Sequence, residues 1–297
     1  MALDQQHEVE RLKTQRGEMT FFDHISELRR HLLRSVLAVS IFAIYFLSDK
    51  EFVFNTLMFG PRDPNFPTYR AICRFSNWVG AGDKMCFTPP KFDVITRELG
   101  EALMSHMYIS FCMGAICAFP YIFWEFWRFV RPGLLESERK AASGVVVTCS
   151  LLFMLGNLFG YFVIAPFSIS FLASYTVEGL NISPTLDSYV SYMTMFTLPT
   201  GLIFEMPIVA YFLTKIGILG PKDLRQYRRH AVVAIVVIAV VITPPDVMSQ
   251  TIVSLPLFAL YEISILVAAR EKRRRDKALD AKERENRQVV AVKDEEE

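Results

Sequence analysis

The sequence has few charged residues and almost no net charge. Only 21% of its 297 residues are Asp, Glu, Lys or Arg, and 32 basic against 31 acidic side chains leave a formal net charge of +1. A chain without an excess of positive charge has no basic surface for DNA or RNA, so we expect no nucleic-acid partner. The 52% of hydrophobic residues instead indicates a membrane protein.

The short motifs that mark common catalytic and metal sites are also missing. The sequence has no G-x-x-x-x-G-K-[ST] phosphate loop, no H-E-x-x-H zinc pair and no G-x-S-x-G elbow, and its five histidines are scattered without metal-ligand spacing. We therefore expect no enzyme activity, no cofactor and no metal site.

Six apolar segments reach or approach the length that crosses a bilayer, which is about 20 helical residues. They predict an all-α integral membrane protein with six transmembrane helices, of which the last two are short. The segments are 32–47, 103–123, 141–167, 189–213, 231–243 and 252–268. A membrane domain, 32–268, thus lies between an N-terminal segment, 1–31, and a charged C-terminal tail, 269–297, that we expect to be largely disordered.

Basic residues alternate between the loops and predict the orientation. Lys and Arg are frequent before the first segment, after the second and fourth, and in the tail, whereas the loops after the third and fifth segments have none. Short basic loops stay in the cytoplasm, so both termini are expected there, in a cytoplasmic (inner) membrane. The long loop 48–102 also contains basic residues, but a loop of that length crosses regardless of charge, and we assign it to the outside.

The segment before the first apolar run has the pattern of an amphipathic helix. Residues 19–32 place apolar side chains on one helical face, and Thr20 with Asp23 is spaced like a capping box. We expect this helix on the cytoplasmic surface, leading into the first span. Its polar face carries Glu27 and Arg29, for which a merely solvated charged face is the alternative.

Glu205 is the most informative polar residue within an apolar segment. A carboxylate in the bilayer is costly and usually faces a cavity or a partner. Pro199, Gly201 and Pro207 surround it and predict a bent helix around a recess. The alternative is a protonated Glu205 bonded to a neighbouring helix, and Glu262 is a second, more peripheral acid.

The short fifth segment is followed by TPPDVMSQ, which predicts a tight external turn. Pro244 and Pro245 end one helix, Asp246 can cap the next, and Gln250 closes the motif. In loop 48–102, Cys73 and Cys86 lie in a compartment that permits disulfides. A bridge between them and two unpaired thiols both remain open.

Four motifs in order, FFDHISELRRHL, PYIFWEFWRFVRPGLLESERK, FEMP and TPPDVMSQ, closely resemble the TatC family over about residues 20–268. The resemblance implies a concave, cup-like bundle that forms the core of the twin-arginine protein translocase. Such a protein binds the Arg-Arg signal peptides of folded cargo. With TatA- and TatB-type single-span partners, in an oligomeric complex within membrane lipid, it transports the cargo using the proton motive force.

The resemblance also implies roles for single residues. Glu27 and Glu138 would bind the arginine pair, Arg29 would orient the site, Phe129 would line the signal-peptide groove, and Glu205 would dock a polar group of a partner helix. A guanidinium offers forked donors that an ammonium cannot reproduce, so carboxylates can distinguish arginine from lysine.

The sequence departs from the family at Glu125, where Gln is more usual, and Glu136 adds a further acid. Which carboxylate holds which arginine is left open. Two other functions also remain open, namely a secondary transporter in which Glu205 carries protons for a small solute, and a structural membrane scaffold. Only the receptor requires Glu27 and Glu138.

Overall fold

The computed structural model describes residues 21–78, 80, 86, 92–130, 142–175, 183–243 and 247–296, and their regular structure is helical apart from one β-bridge between Ile95 and Thr185. The α-helices are α1 (Phe21–Ser48), α2 (Pro67–Trp78), α3 (Glu101–Val130), α4 (Ala142–Phe159), α5 (Ala165–Ser174), α6 (Leu186–Ile203), α7 (Met206–Lys215), α8 (Pro221–Gln226), α9 (Arg228–Ile242) and α10 (Val247–Glu296). Segments Phe52–Met58 and Gly160–Ile164 are π-helical, and Gly60–Arg62 is a 3-10 turn.

Five helical stretches are long and apolar enough to cross a membrane. They are Ile25–Ser48, Glu101–Val130, Gly144–Ser174, Leu186–Lys215 and Gln250–Ala281. Helix α9 is apolar but has only 15 residues, so it covers about 22 Å of a hydrocarbon core about 30 Å thick. The protein is thus an all-helical, multi-pass membrane protein with one short apolar helix at the predicted fifth segment.

Helix α10 differs from the prediction at the C-terminus. The last span was expected to be short and the tail 269–297 largely disordered, but one helix of 50 residues runs through both to Glu296. After Pro256 this helix contains neither Gly nor Pro, and the tail is rich in Ala, Glu, Lys and Arg. These residues have high intrinsic helix propensity, which explains the continuation.

Helix α1 contains both the predicted amphipathic segment and the first apolar segment. It is continuous from Phe21 to Ser48, because no Gly or Pro interrupts this stretch. Ile25, Leu28 and Leu32 on its first turns are 45 to 60% exposed, so about half of this apolar surface is not covered by the described chain. Thr20 of the expected capping box lies outside the described residues.

Helices α1 and α3 pack antiparallel along their length. A Cβ atom on Gly114 of α3 would lie 2.8 Å from both the Val39 carbonyl oxygen and the Ala43 nitrogen of α1, so only glycine permits this approach. The end of the bundle where α1 begins and α3 ends is termed the N-terminal face below.

Glycines also allow the backbones of α4 and α6 to approach closely. Gly156 near the end of α4 and Gly160 at the start of the following π-helical segment form a G-x-x-x-G motif, and a Cβ on Gly160 would lie 2.3 Å from the Phe196 carbonyl oxygen. A Cβ on Gly201 of α6 would lie 2.2 Å from Nδ2 of Asn157. Small residues allow helix backbones to approach closely inside a membrane, where apolar burial gives little drive for association.

The loop between α1 and α3 packs onto the opposite face of the bundle. Tyr161 donates a hydrogen bond to the Leu57 carbonyl (2.8 Å), and Tyr189 donates to that of Met58 (2.9 Å). The Tyr69 hydroxyl donates to Pro61 (2.7 Å), and burial raises its pKa well above the ordinary value. A disulfide joins Cys73 in α2 to Cys86, whose Cα atoms are 4.8 Å apart. The described residues of the loop are therefore bonded both to each other and to Tyr161 and Tyr189 of the bundle.

We expect Gly160→Ala to lower the free energy of unfolding by about 1–3 kcal/mol, because the new methyl group meets backbone and not a flexible side chain. Thermal unfolding of the detergent-purified protein measures the change. Gly144→Ala is the matched control in the same apolar stretch, Gly144–Ser174, since nothing lies within 4 Å of its Cβ position. Equal melting temperatures for the two variants would contradict the close α4–α6 packing.

Candidate functional site

The N-terminal face brings together two of the residues that the sequence singled out. Glu27 is half-buried near the start of α1, and Phe129 lies at the end of α3. Within the described chain, no Lys or Arg nitrogen lies within 4.0 Å of the Glu27 carboxylate. Arg29 is exposed on α1. Glu136 and Glu138 lie outside the described residues.

A buried polar contact lies directly beneath this pair. The Nδ1–H of His31 on α1 donates a hydrogen bond to Oε2 of Glu125 on α3, and the Tyr121 hydroxyl donates to Oε1 at 3.0 Å. His31 is 7% exposed and Glu125 is 3% exposed. Nη1 of Arg34 lies 4.0 Å from the same carboxylate and offsets its charge. Both carboxylate oxygens of Glu125 therefore already accept a hydrogen bond.

The antiparallel register explains which side chains meet. Gly114 lies against Val39 and Ala43, and about three helical turns further along α3 Glu125 lies against His31. One more turn towards the N-terminal face places Glu27 level with Phe129. The Phe129 ring also contacts the His31 ring edge-to-face, with centroids 6.1 Å apart.

Glu205 lies at a break between two helices. Helix α6 ends at Ile203 and α7 begins at Met206, with Glu205 at the N-cap position of α7. Pro207 has no N–H to donate to the carbonyl of residue 203, so the helical hydrogen-bond ladder is interrupted there. Glu205 still accepts backbone bonds from Ile208 and Val209 through its carbonyl oxygen, at 3.0 Å each.

The Glu205 carboxyl group is buried without a hydrogen bond of normal geometry. Neither Oε1 nor Oε2 has such a partner among the described residues, and the groups that approach it are the Cys149 thiol and the Phe153 backbone. Next to Glu205 in the chain, Phe204 lies where Gly156 and Gly201 allow α4 and α6 to contact each other closely. A buried acceptor without a donor is suited to receive a polar group from another molecule.

The remaining predicted positions lie around α9 and α10. Pro244, Pro245 and Asp246 are outside the described residues. Gln250 lines a cavity of about 510 Å³ between α9 and α10, and the Ser254 hydroxyl on its wall is buried without a partner in the described chain. Glu262 of α10 forms an ion pair of 2.8 Å with Arg228 of α9, so this acid is paired with a neighbouring helix.

His31 was missed by the sequence reasoning, although Glu125 was noted as unusual. The available signal was the spacing, because His31 follows Glu27 by one helical turn and so shares its face. No group of three His, Cys, Asp or Glu side chains that could hold a metal occurs among the residues with described positions.

We expect Glu205→Met to raise the free energy of unfolding by about 1–3 kcal/mol, because it removes a buried acceptor that lacks a donor. Thermal unfolding in detergent measures this. Glu262→Met is the matched control, since its carboxylate has a partner in Arg228 and its loss brings no gain. A Glu205→Met variant less stable than the parent would show that the carboxyl group is satisfied.

Comparison with known proteins identifies the family. The family model for "Sec-independent protein translocase protein (TatC)" matches residues 23–256. The chain is 35% identical over 260 residues to the TatC of Blattabacterium sp. subsp. Periplaneta americana, covering 86% of this chain and 97% of that protein. It is 34% identical over 268 residues to the TatC of Aquifex aeolicus, covering 88% and 100%.

Solved structures agree with this assignment. A crystal structure of the twin-arginine translocase receptor TatC in DDM superposes with a TM-score of 0.64 at 32% identity, covering 82% of this chain and 99% of that one. A second crystal structure of the TatC receptor has a TM-score of 0.61 at 32% identity, covering 82% and 97%. The chain therefore belongs to the TatC family of Sec-independent protein translocase proteins.

Proposed function

We propose that this protein is the signal-peptide receptor and membrane core of a twin-arginine translocase. The family is one of transport and not of catalysis. In this proposal α9 is the short fifth of six spans in a cup-like bundle of the cytoplasmic membrane, and both termini lie in the cytoplasm. The basic residues at the N-terminal face support that orientation.

The N-terminal face is the proposed binding site for the arginine pair. Glu27 and Glu138 would each accept a forked guanidinium, Arg29 would orient the acids, and Phe129 would contact the apolar part of the signal peptide. The observation that carries this proposal is the register of α1 and α3, because it sets Glu27, which has no ion pair within the described chain, level with Phe129 at one surface.

Glu205 is the proposed docking point for a TatA- or TatB-type partner helix. Its carboxyl group is buried and accepts no hydrogen bond of normal geometry from the residues with described positions, so a polar side chain on an incoming helix can supply a donor. Partner docking would follow signal-peptide binding, and the proton motive force would drive cargo transport.

Signal-peptide recognition predicts selective binding of arginine over lysine. The purified protein should bind an Arg-Arg signal peptide at least about tenfold more tightly than its Lys-Lys form, a difference of about 1.4 kcal/mol. Glu27→Gln should remove most of this preference, because an amide accepts a guanidinium without charge assistance. Titration of a fluorescent peptide measures both, with Glu51→Gln on the opposite face as the control. Equal binding of both peptides would favour the transporter or scaffold alternatives.

The intramembrane role predicts a different phenotype at Glu205. Glu205→Ala should abolish transport of a folded cargo into membrane vesicles while leaving the affinity for the free signal peptide within about twofold. The docking step is lost because the partner helix has no acceptor to pair with. Vesicles with the Glu51→Gln variant are the control and should transport the cargo at the rate of the parent. Normal transport by vesicles with Glu205→Ala would refute the docking role.

A further inference from the structure

We propose that His31 and Glu125 form an interhelix latch that positions Glu27 against Phe129, and that Glu125 does not itself bind the signal peptide. This inference rests on the proposed function of the N-terminal face. The sequence leaves the role of Glu125 open, because it is one of several carboxylates near the expected arginine site. The proposal assigns it to positioning the helices and not to binding arginine.

Accessibility argues against Glu125 as an arginine ligand. Its side chain is only 3% exposed, whereas Glu27 one turn away on the facing helix is half-buried and reaches the surface. Both carboxylate oxygens already accept hydrogen bonds, Oε2 from His31 and Oε1 from Tyr121. A forked guanidinium needs both oxygens of one carboxylate. An incoming arginine would have to displace both internal donors at once.

The position of the contact explains why it sets the register. Gly114 fixes the middle of the α1–α3 pair sterically, but the helices extend about four further turns to the N-terminal face. In that stretch Ile25, Leu28 and Leu32 of α1 are 45 to 60% exposed. Apolar packing against lipid gives no preference for one register over another. The directional hydrogen bond between the buried side chains of His31 and Glu125 favours one register of α1 against α3.

The contact also links directly to the binding surface. Glu27 lies one turn from His31 on α1, and Phe129 lies one turn from Glu125 on α3. The Phe129 ring packs against the edge of the His31 ring. A slip of one residue would rotate a helix by about 100° and move it by about 1.5 Å, turning Glu27 away from Phe129.

Four single variants separate a positioning latch from a peptide ligand. His31→Asn keeps a donor near the place of Nδ1 and Glu125→Gln keeps an acceptor, whereas His31→Leu and Glu125→Leu remove one side of the bond. We expect both leucine variants to weaken Arg-Arg peptide binding about tenfold or more. The Asn and Gln variants should stay within about threefold of the parent.

The opposite pattern would overturn the proposal. If Glu125 binds arginine, Glu125→Gln should lose affinity as Glu27→Gln does, and His31→Leu should bind normally because it frees the carboxylate. In Glu125→Gln the amide oxygen can accept from His31 while the amide NH2 donates to the Tyr121 hydroxyl oxygen. Both contacts can therefore persist, and this comparison holds even where a leucine variant fails to fold. Unchanged binding in all four variants would also refute the latch.

A second measurement does not depend on the peptide. Spin labels attached through non-canonical residues at the exposed positions Arg30 and Arg128 report the distance between α1 and α3. We expect the distance distribution to broaden or shift in His31→Leu and to match the parent in His31→Asn. An unchanged distribution in His31→Leu would overturn the latch. If the parent binds Arg-Arg and Lys-Lys peptides equally, the receptor function fails and this distance still tests the latch.

Discussion

The absence of water from the bilayer core is the constraint on which this structure depends. Backbone groups there must bond within helices, and helix association gains little from burying apolar surface against lipid. The contacts that hold the bundle are accordingly steric and polar. Gly114 admits α1, and Gly156, Gly160 and Gly201 bring α4 and α6 together. Polar groups within this frame are few, so each one is informative.

The same constraint gives opposite characters to the two buried acids. Glu125 has donors for both oxygens and a guanidinium at 4.0 Å, so it fixes one helix against another. Glu205 has no hydrogen bond of normal geometry among the described residues and lies where Pro207 interrupts a helix. An acid whose oxygens already accept hydrogen bonds is suited to holding two helices together. An acid whose oxygens lack donors is suited to accepting a hydrogen bond from a partner protein. Helix α3 packs against α1, α4 and α6, which connects the regions of both acids.

Periodicity and composition predicted the apolar segments and the interrupted helix around Glu205, because both depend on local chemistry. The sequence could not reveal the pairing of His31 with Glu125, since that contact joins positions far apart and depends on an interhelix register set by Gly114. It also overestimated disorder in the tail, where charge suggested solvation but helix propensity continued α10 to Glu296. Contacts between residues far apart in the sequence, such as that of His31 with Glu125, therefore cannot be predicted from local sequence patterns.

The most direct test of the receptor site is to map where a signal peptide contacts the protein. A photo-reactive residue next to the arginine pair of a synthetic signal peptide, activated on membrane vesicles, should cross-link to the first turns of α1 and the last turns of α3. Mass spectrometry of the digested product identifies the attached segment, and the Lys-Lys peptide should give little product. Cross-links confined to the loop at the opposite face, around α2, would contradict the account.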